Sequence, residues 1–164
     1  MTQRIDYRRV APAAVQAMTG LQKYVDDCGL EASLLNLVKL RASQINGCAY
    51  CVDMHTLDAL AIRETEQRLY AVAVWEEAPF FSDRERAALA WTEEVTLISK
   101  TKASDAAYAE ARHHFSEKEL VDLTMAIIAI NGWNRLAVSF RAVAGRYHPH
   151  TLSAAARDLA PTGS

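Results

Sequence analysis

The sequence predicts an all-α single domain of about six to eight helices. Three observations carry that expectation. Apolar residues recur mostly three and four apart, the spacing of a helix face. Only 6 Gly and 4 Pro interrupt 164 residues. No Asn-Gly or Asp-Gly pair joins two alternating runs; Asn46-Gly47 and Asn131-Gly132 both lie within helix-period sequence.

In chain order, the spacing predicts a first helix from about Pro12 to Asp27, with proline at its start and Gly29 past its end. A second covers about Ala32 to Ile45, with Leu34, Leu35, Val38, Ala42 and Ile45 on its inner face. Asn46-Gly47 breaks the chain, and a third helix follows from about Cys48 to Ile62. A fourth spans about Glu66 to Trp75, until Ala78-Pro79 interrupts. Ser82 and Glu85 have the spacing of a capping box, opening a fifth helix through about Ile98. Ser104 begins a short sixth, closed by His113 and His114, which suit a helix C-terminus. Ser116 and Glu119 repeat the capping box and open a long last helix to about Ala144, with Gly132 inside it as a point of close packing or a bend. The domain is expected to span 1–164, with a core over 10–145 and a tail, 146–164, whose end is loose. His148 and His150 flank Pro149 in that tail and read as solvated.

Size and charge narrow the function. Hydrophobic residues are 51% of the chain, enough for one real core. A net charge of −2 offers no basic excess for a phosphate backbone, so nucleic acid is not an expected partner. The N-terminus carries arginines but no long apolar run, which argues against a secretory signal. The longest strongly apolar stretch, Met125 to Ile130, is too short to span a bilayer. The expected location is the cytoplasm, where a close cysteine pair is more often catalytic or metal-binding than structural.

Cys48, Cys51 and His55 concentrate the chemistry. At about 100° per residue, all three share one helix face, with consecutive members about one turn apart. Cys48 stands at the helix start, where free N–H groups favour a thiolate. His55, as an imidazole near its ordinary pKa, suits proton transfer with Cys51 at neutral pH. Thiol redox chemistry is the sharp reading; two small core cysteines beside a packed histidine is the plain one. Zinc fits poorly, because seven residues of helix rise about 10.5 Å, too far for Cys48 and His55 to share one ion. Cys28 reads as a buried helix-end residue.

Residues 37–55, Leu-Val-Lys-Leu-Arg-Ala-Ser-Gln-Ile-Asn-Gly-Cys-Ala-Tyr-Cys-Val-Asp-Met-His, strongly resemble the core of alkylhydroperoxidase D (AhpD)-like proteins of the carboxymuconolactone decarboxylase superfamily. The resemblance continues through 64–69, 75–90 and 131–137 and covers most of 10–145. It implies an all-helical fold forming homotrimers or homohexamers, and thiol peroxidase or disulfide reductase chemistry. By that resemblance Cys51 attacks the peroxide, His55 belongs to its proton relay, and Cys48 resolves the sulfenic acid. No bound cofactor is implied; a dithiol, such as a lipoyl group on a carrier protein, restores the thiols.

Two positions depart from the family pattern. The relay glutamate expected twelve residues before the first cysteine is Asn36, and an amide cannot take up a proton. Glu31, Asp53, Asp58 and Glu94 are substitutes by residue type, each otherwise a solvated helix-face charge. Tyr50 stands between the cysteines where some members carry histidine. Away from the motif, Asn134 and Arg135, beside Trp133 on the last helix, suggest a buried polar contact, a subunit interface or a pocket wall, and Trp75, Phe80 and Phe81 a hydrophobic elbow. Three functions follow: a peroxidase or disulfide reductase, a redox reporter with incidental turnover, and a decarboxylase-type enzyme sharing only the fold.

Overall fold

The computed structural model describes residues 2–149. Among them lie nine α-helices: α1 (Tyr7–Val10), α2 (Pro12–Asp26), α3 (Ala32–Ile45), α4 (Ala49–Ala61), α5 (Glu66–Ala71), α6 (Asp83–Thr96), α7 (Ile98–Thr101), α8 (Asp105–His114) and α9 (Glu117–Phe140). No strand occurs among the described residues. Two of the nine, α1 and α7, are single turns of four residues, too short to leave a period in the sequence. Asp6 creates α1 by accepting the backbone N–H groups of Arg8 and Arg9.

Helix α3 is the axis of the molecule and packs against α4, α6 and α9. Leu37, Val38, Leu40 and Ala42 are all but fully buried around its circumference. The expected single inner stripe is therefore too narrow. Leu34, Leu35, Val38 and Ala42 are buried as expected, but Ile45, in the last turn, is only half-buried. A helix enclosed on several sides loses its amphipathic stripe, and even Lys39 and Ser43 of α3 are buried.

Three further boundaries differ from expectation, each for a visible reason. The fourth helix stops at Ala71, and Val72–Val74 tighten into a 3₁₀ turn. The carbonyls beyond it accept from Arg86, which donates to Trp75 at 3.0 Å, Glu76 at 2.8 Å and Ala78 at 3.2 Å. These bonds free the chain from continuing the helix ladder. Helix α6 ends at Thr96, and the Thr101 hydroxyl ties α7 back to the Glu94 carbonyl at 2.7 Å. Helix α9 ends at Phe140 rather than near Ala144. Arg141 turns left-handed there (φ +55°), and the Arg4 N–H satisfies the Phe140 carbonyl at 3.0 Å.

Both expected capping boxes form, Ser82 with Glu85 and Ser116 with Glu119. Trp75 and Phe81 of the expected elbow are buried, and Phe80 is partly exposed. Residues 143–149 lie along α4: the Gly145 N–H donates to Asp53 at 2.8 Å and the Tyr147 hydroxyl to Asp58 at 2.6 Å. The tail end expected to be loose, with His150 and Pro161, falls outside the described residues. Among the described residues, no helix is long and apolar enough to cross a membrane.

Candidate active site

The site begins with the break between α3 and α4. Gly47 adopts φ +64°, a conformation that costs a side-chain-bearing residue energy, and so lets the chain reverse within two residues. Asn46 anchors the break: its amide donates to Asn131 at 3.0 Å and to Asn134 at 2.9 Å, both on α9. Asn134, fully buried, donates in turn to Ser43 at 3.1 Å. Asn134 is thus the buried polar contact that its residue type suggested.

Cys48 is the N-cap of α4, and its sulfur accepts the Cys51 N–H at 3.3 Å. A sulfur in that position replaces the usual capping oxygen and receives the positive end of the helix dipole. Cys48 and Cys51 are joined as a disulfide, with Cα atoms 5.3 Å apart. Both are about 1% exposed and share a small cluster with Ala42, Ile130 and Ala137.

Cys51 and His55 line one cavity of about 350 Å³, and Cys48 lies behind its wall. Tyr7, Tyr50, Met54, Trp133 and Ala137 supply apolar surface, and Tyr147 closes one side from the C-terminal segment. Trp133 is thereby a pocket wall. Lys39, Asp26 and Arg8 also line the cavity, and the Arg8 guanidinium lies 5.7 Å from the Trp133 ring centroid.

His55 differs from expectation. It is 6% exposed, and neither ring nitrogen has a hydrogen-bond partner. Burial, and secondarily the Lys39 charge, push its pKa from 6.5 down to about 3. The imidazole is therefore neutral at pH 7, a proton acceptor rather than a group poised at its ordinary pKa. Asp58 is the nearest acid, with Oδ2 3.8 Å from Nδ1, but its other oxygen is engaged by Tyr147. Burial first, and then the Asp58 bond, raise the Tyr147 pKa, keeping the phenol protonated as that bond's donor.

The family model for the carboxymuconolactone decarboxylase family matches residues 12–94. An uncharacterised protein of Bacillus subtilis, YdfG, is 41% identical over 139 residues, spanning 85% of this chain and 95% of that one. A crystal structure from Agrobacterium tumefaciens, ATU0492, a protein of unknown function suggested to be the antioxidant defence protein AhpD, superposes with a TM-score of 0.87 at 44% identity. It covers 89% of this chain and 100% of that one. The chain is an AhpD-like member of the carboxymuconolactone decarboxylase family. The debrominase Bmp8 shares the fold, with a TM-score of 0.72 at 21% identity over 82% of this chain and 73% of its own.

Against that family pattern, Asn36 is half-buried and lines a neighbouring groove of about 330 Å³, not the cysteine cavity. Three of the four substitute carboxylates are engaged elsewhere. Glu31 pairs with Arg84 at 3.3 Å, Asp53 holds Gly145, and Glu94 accepts the Ser104 N–H at 2.9 Å. Only Asp58, of the four, lines the cavity. His113 and His114 close α8, with His114 3.2 Å from Glu110. Cys28 is a free, partly buried thiol beyond the C-terminal end of α2. Sequence reasoning missed Lys39, Asp26 and Tyr147. Lys39 left one signal: a lysine amid apolar neighbours on a helix whose other faces read as core. Asp26 and Tyr147 left none, since remote chain segments bring them in.

Proposed function

We propose that this protein is a thiol-dependent peroxidase that reduces small alkyl hydroperoxides. The observation that carries this reading is that Cys51 lines a cavity with His55, while Cys48 stands behind it within disulfide reach. In the reduced protein, neutral His55 accepts the Cys51 proton. The thiolate attacks one peroxide oxygen and the O–O bond breaks. Sulfur is oxidised to sulfenic acid, and the leaving alkoxide takes the proton from His55 and departs as alcohol. A buried imidazolium is unfavourable here, so His55 gives that proton up readily. The Cys48 thiol then attacks the sulfenic sulfur; a disulfide forms and water leaves. An external dithiol, a lipoylated carrier protein among the candidates, restores both thiols and itself becomes a disulfide. The reading includes a cytoplasmic location and a homotrimeric or homohexameric state. ATU0492's suggested role in antioxidant defence supports it.

A turnover assay with hydrogen peroxide and organic hydroperoxides, regenerated by a reduced dithiol, tests the proposal. Cys51→Ser is expected to abolish turnover. With the dithiol left out, Cys48→Ser is expected to complete one peroxide reduction and stop at a Cys51 sulfenic acid that reacts with dimedone. Full peroxide turnover by the double cysteine variant would overturn the reading. A second reading, a redox reporter with little turnover, is favoured by the near-complete burial of both sulfurs and by Asn36 in the relay position. Disulfide exchange with a dithiol, without peroxide consumption, would select it.

A further inference from the structure

Lys39 is a lysine where lysines are seldom found. Its side chain is only 10% exposed, its stem packed within the fold and its ammonium at the wall of the cavity. Among the described residues it makes one ion pair, to Asp26 at 3.6 Å, and that carboxylate is itself 55% exposed. A largely enclosed cation with one long, solvated partner is only partly compensated. Asn36, one turn earlier on the same helix, is an amide and does not neutralise it. Lys39 lines both the cysteine cavity and the groove beside it, and so stands at the wall between them.

The charged and titratable groups around the cavity leave one place for a second counter-charge. Helix α1 contributes Tyr7 and the cation Arg8, α2 contributes Asp26, α4 contributes Tyr50, Cys51, His55 and Asp58, and the C-terminal segment contributes Tyr147. Helix α9 contributes Trp133 and Ala137, neither of which titrates in this range. Asp58 is held by Tyr147. The group whose charge appears and disappears with the chemistry is Cys51.

We propose that Lys39 is a positioning residue for the attacking thiol: its ammonium, at the wall of the cavity that Cys51 lines, is the counter-charge that holds Cys51 as a thiolate, in place of a carboxylate–histidine relay. The inference rests on the assignment of Cys51 as the reactive thiol. It gives His55 a narrower task, since imidazolium is disfavoured beside the same lysine. The cation stabilises the anion, and neutral imidazole passes the proton through.

The test uses the reduced full-length protein without peroxide. Alkylation of Cys51 by iodoacetamide is followed against pH by mass spectrometry of its peptide. Replacing a cation near a thiolate by a neutral group raises the thiol midpoint by roughly one unit, making alkylation about tenfold slower below the midpoint. K39M is expected to show that shift, and K39R to keep the wild-type midpoint. The His55 ring protons, followed by NMR, should titrate at higher pH in K39M, because a repelling charge has gone. If K39M does not fold, K39Q, neutral and of similar reach, takes its place. An unchanged Cys51 midpoint in a folded neutral variant would overturn the proposal, as would K39R behaving like K39M. A wild-type protein that ignored peroxides would instead sink the peroxidase reading and leave the thiol result standing.

Discussion

At the scale of single residues, His55 sets the pH behaviour of the protein. Its folded pKa of about 3 lies below the ordinary 6.5, so between those values the unfolded chain binds a proton that the folded chain refuses. The associated stability is complete above about pH 6.5 and is lost as pH falls towards about 3. Glu119 acts in the same direction at lower pH. The Ser116 N–H and hydroxyl, and then Arg84, hold its pKa at about 2, so its contribution is present above its ordinary 4.5 and lost as pH falls through about 2. Urea midpoints are therefore expected to fall steadily from about pH 6.5 to 4.5 in the wild type. His55→Gln should flatten that stretch and leave the steeper fall below about pH 4.5. A wild-type midpoint independent of pH between 6.5 and 4.5 would show that the imidazole is solvated rather than buried.

At the scale of elements, the contact of α2 with α9 turns on Gly132. A Cβ built there would stand 2.8 Å from Met18 Cε and 3.4 Å from its sulfur. The clash meets the free end of a flexible side chain rather than backbone, so Met18 can swing aside. Alanine is about 1 kcal/mol better than glycine in a helix interior. Gly132→Ala is expected to be neutral or to stabilise by up to about 1 kcal/mol in urea unfolding. A loss of more than about 1 kcal/mol would mean that the glycine sets the spacing of the two helices. The helices with capping boxes began where the sequence said they would, because a serine and a glutamate three residues apart satisfy each other's backbone locally. Helix ends were less legible. Those of α5, α6 and α9 depend on Arg86, Thr101 and Arg4, residues that themselves lie outside the helix being ended.

At the scale of the whole molecule, the outer face of α9 carries apolar side chains that the described residues do not cover. Val121 is 57% and Ile128 46% exposed, and Tyr108 of α8 shares a groove of about 270 Å³ with Val121 and Met125. The proposed assembly gives that face a partner. Sedimentation at micromolar concentration is expected to show three or six chains together, and Val121→Glu to shift the distribution towards the monomer. A wild-type monomer under those conditions would remove oligomerisation from the proposal.

The sequence by itself determined the helical class, the order of the long helices and the meeting of Cys48 and Cys51, since all of these follow from local spacing along one backbone. Tertiary structure decided what those sulfurs face. Only folding brings Lys39 and Asp26 from two other helices, and Tyr147 from the far end of the chain, to the wall around Cys51. It also strips water from His55, and so turns a nominal pH-7 titrator into a neutral base. Charge and solvation are properties of an enclosure, and an enclosure is built from residues that are distant in sequence.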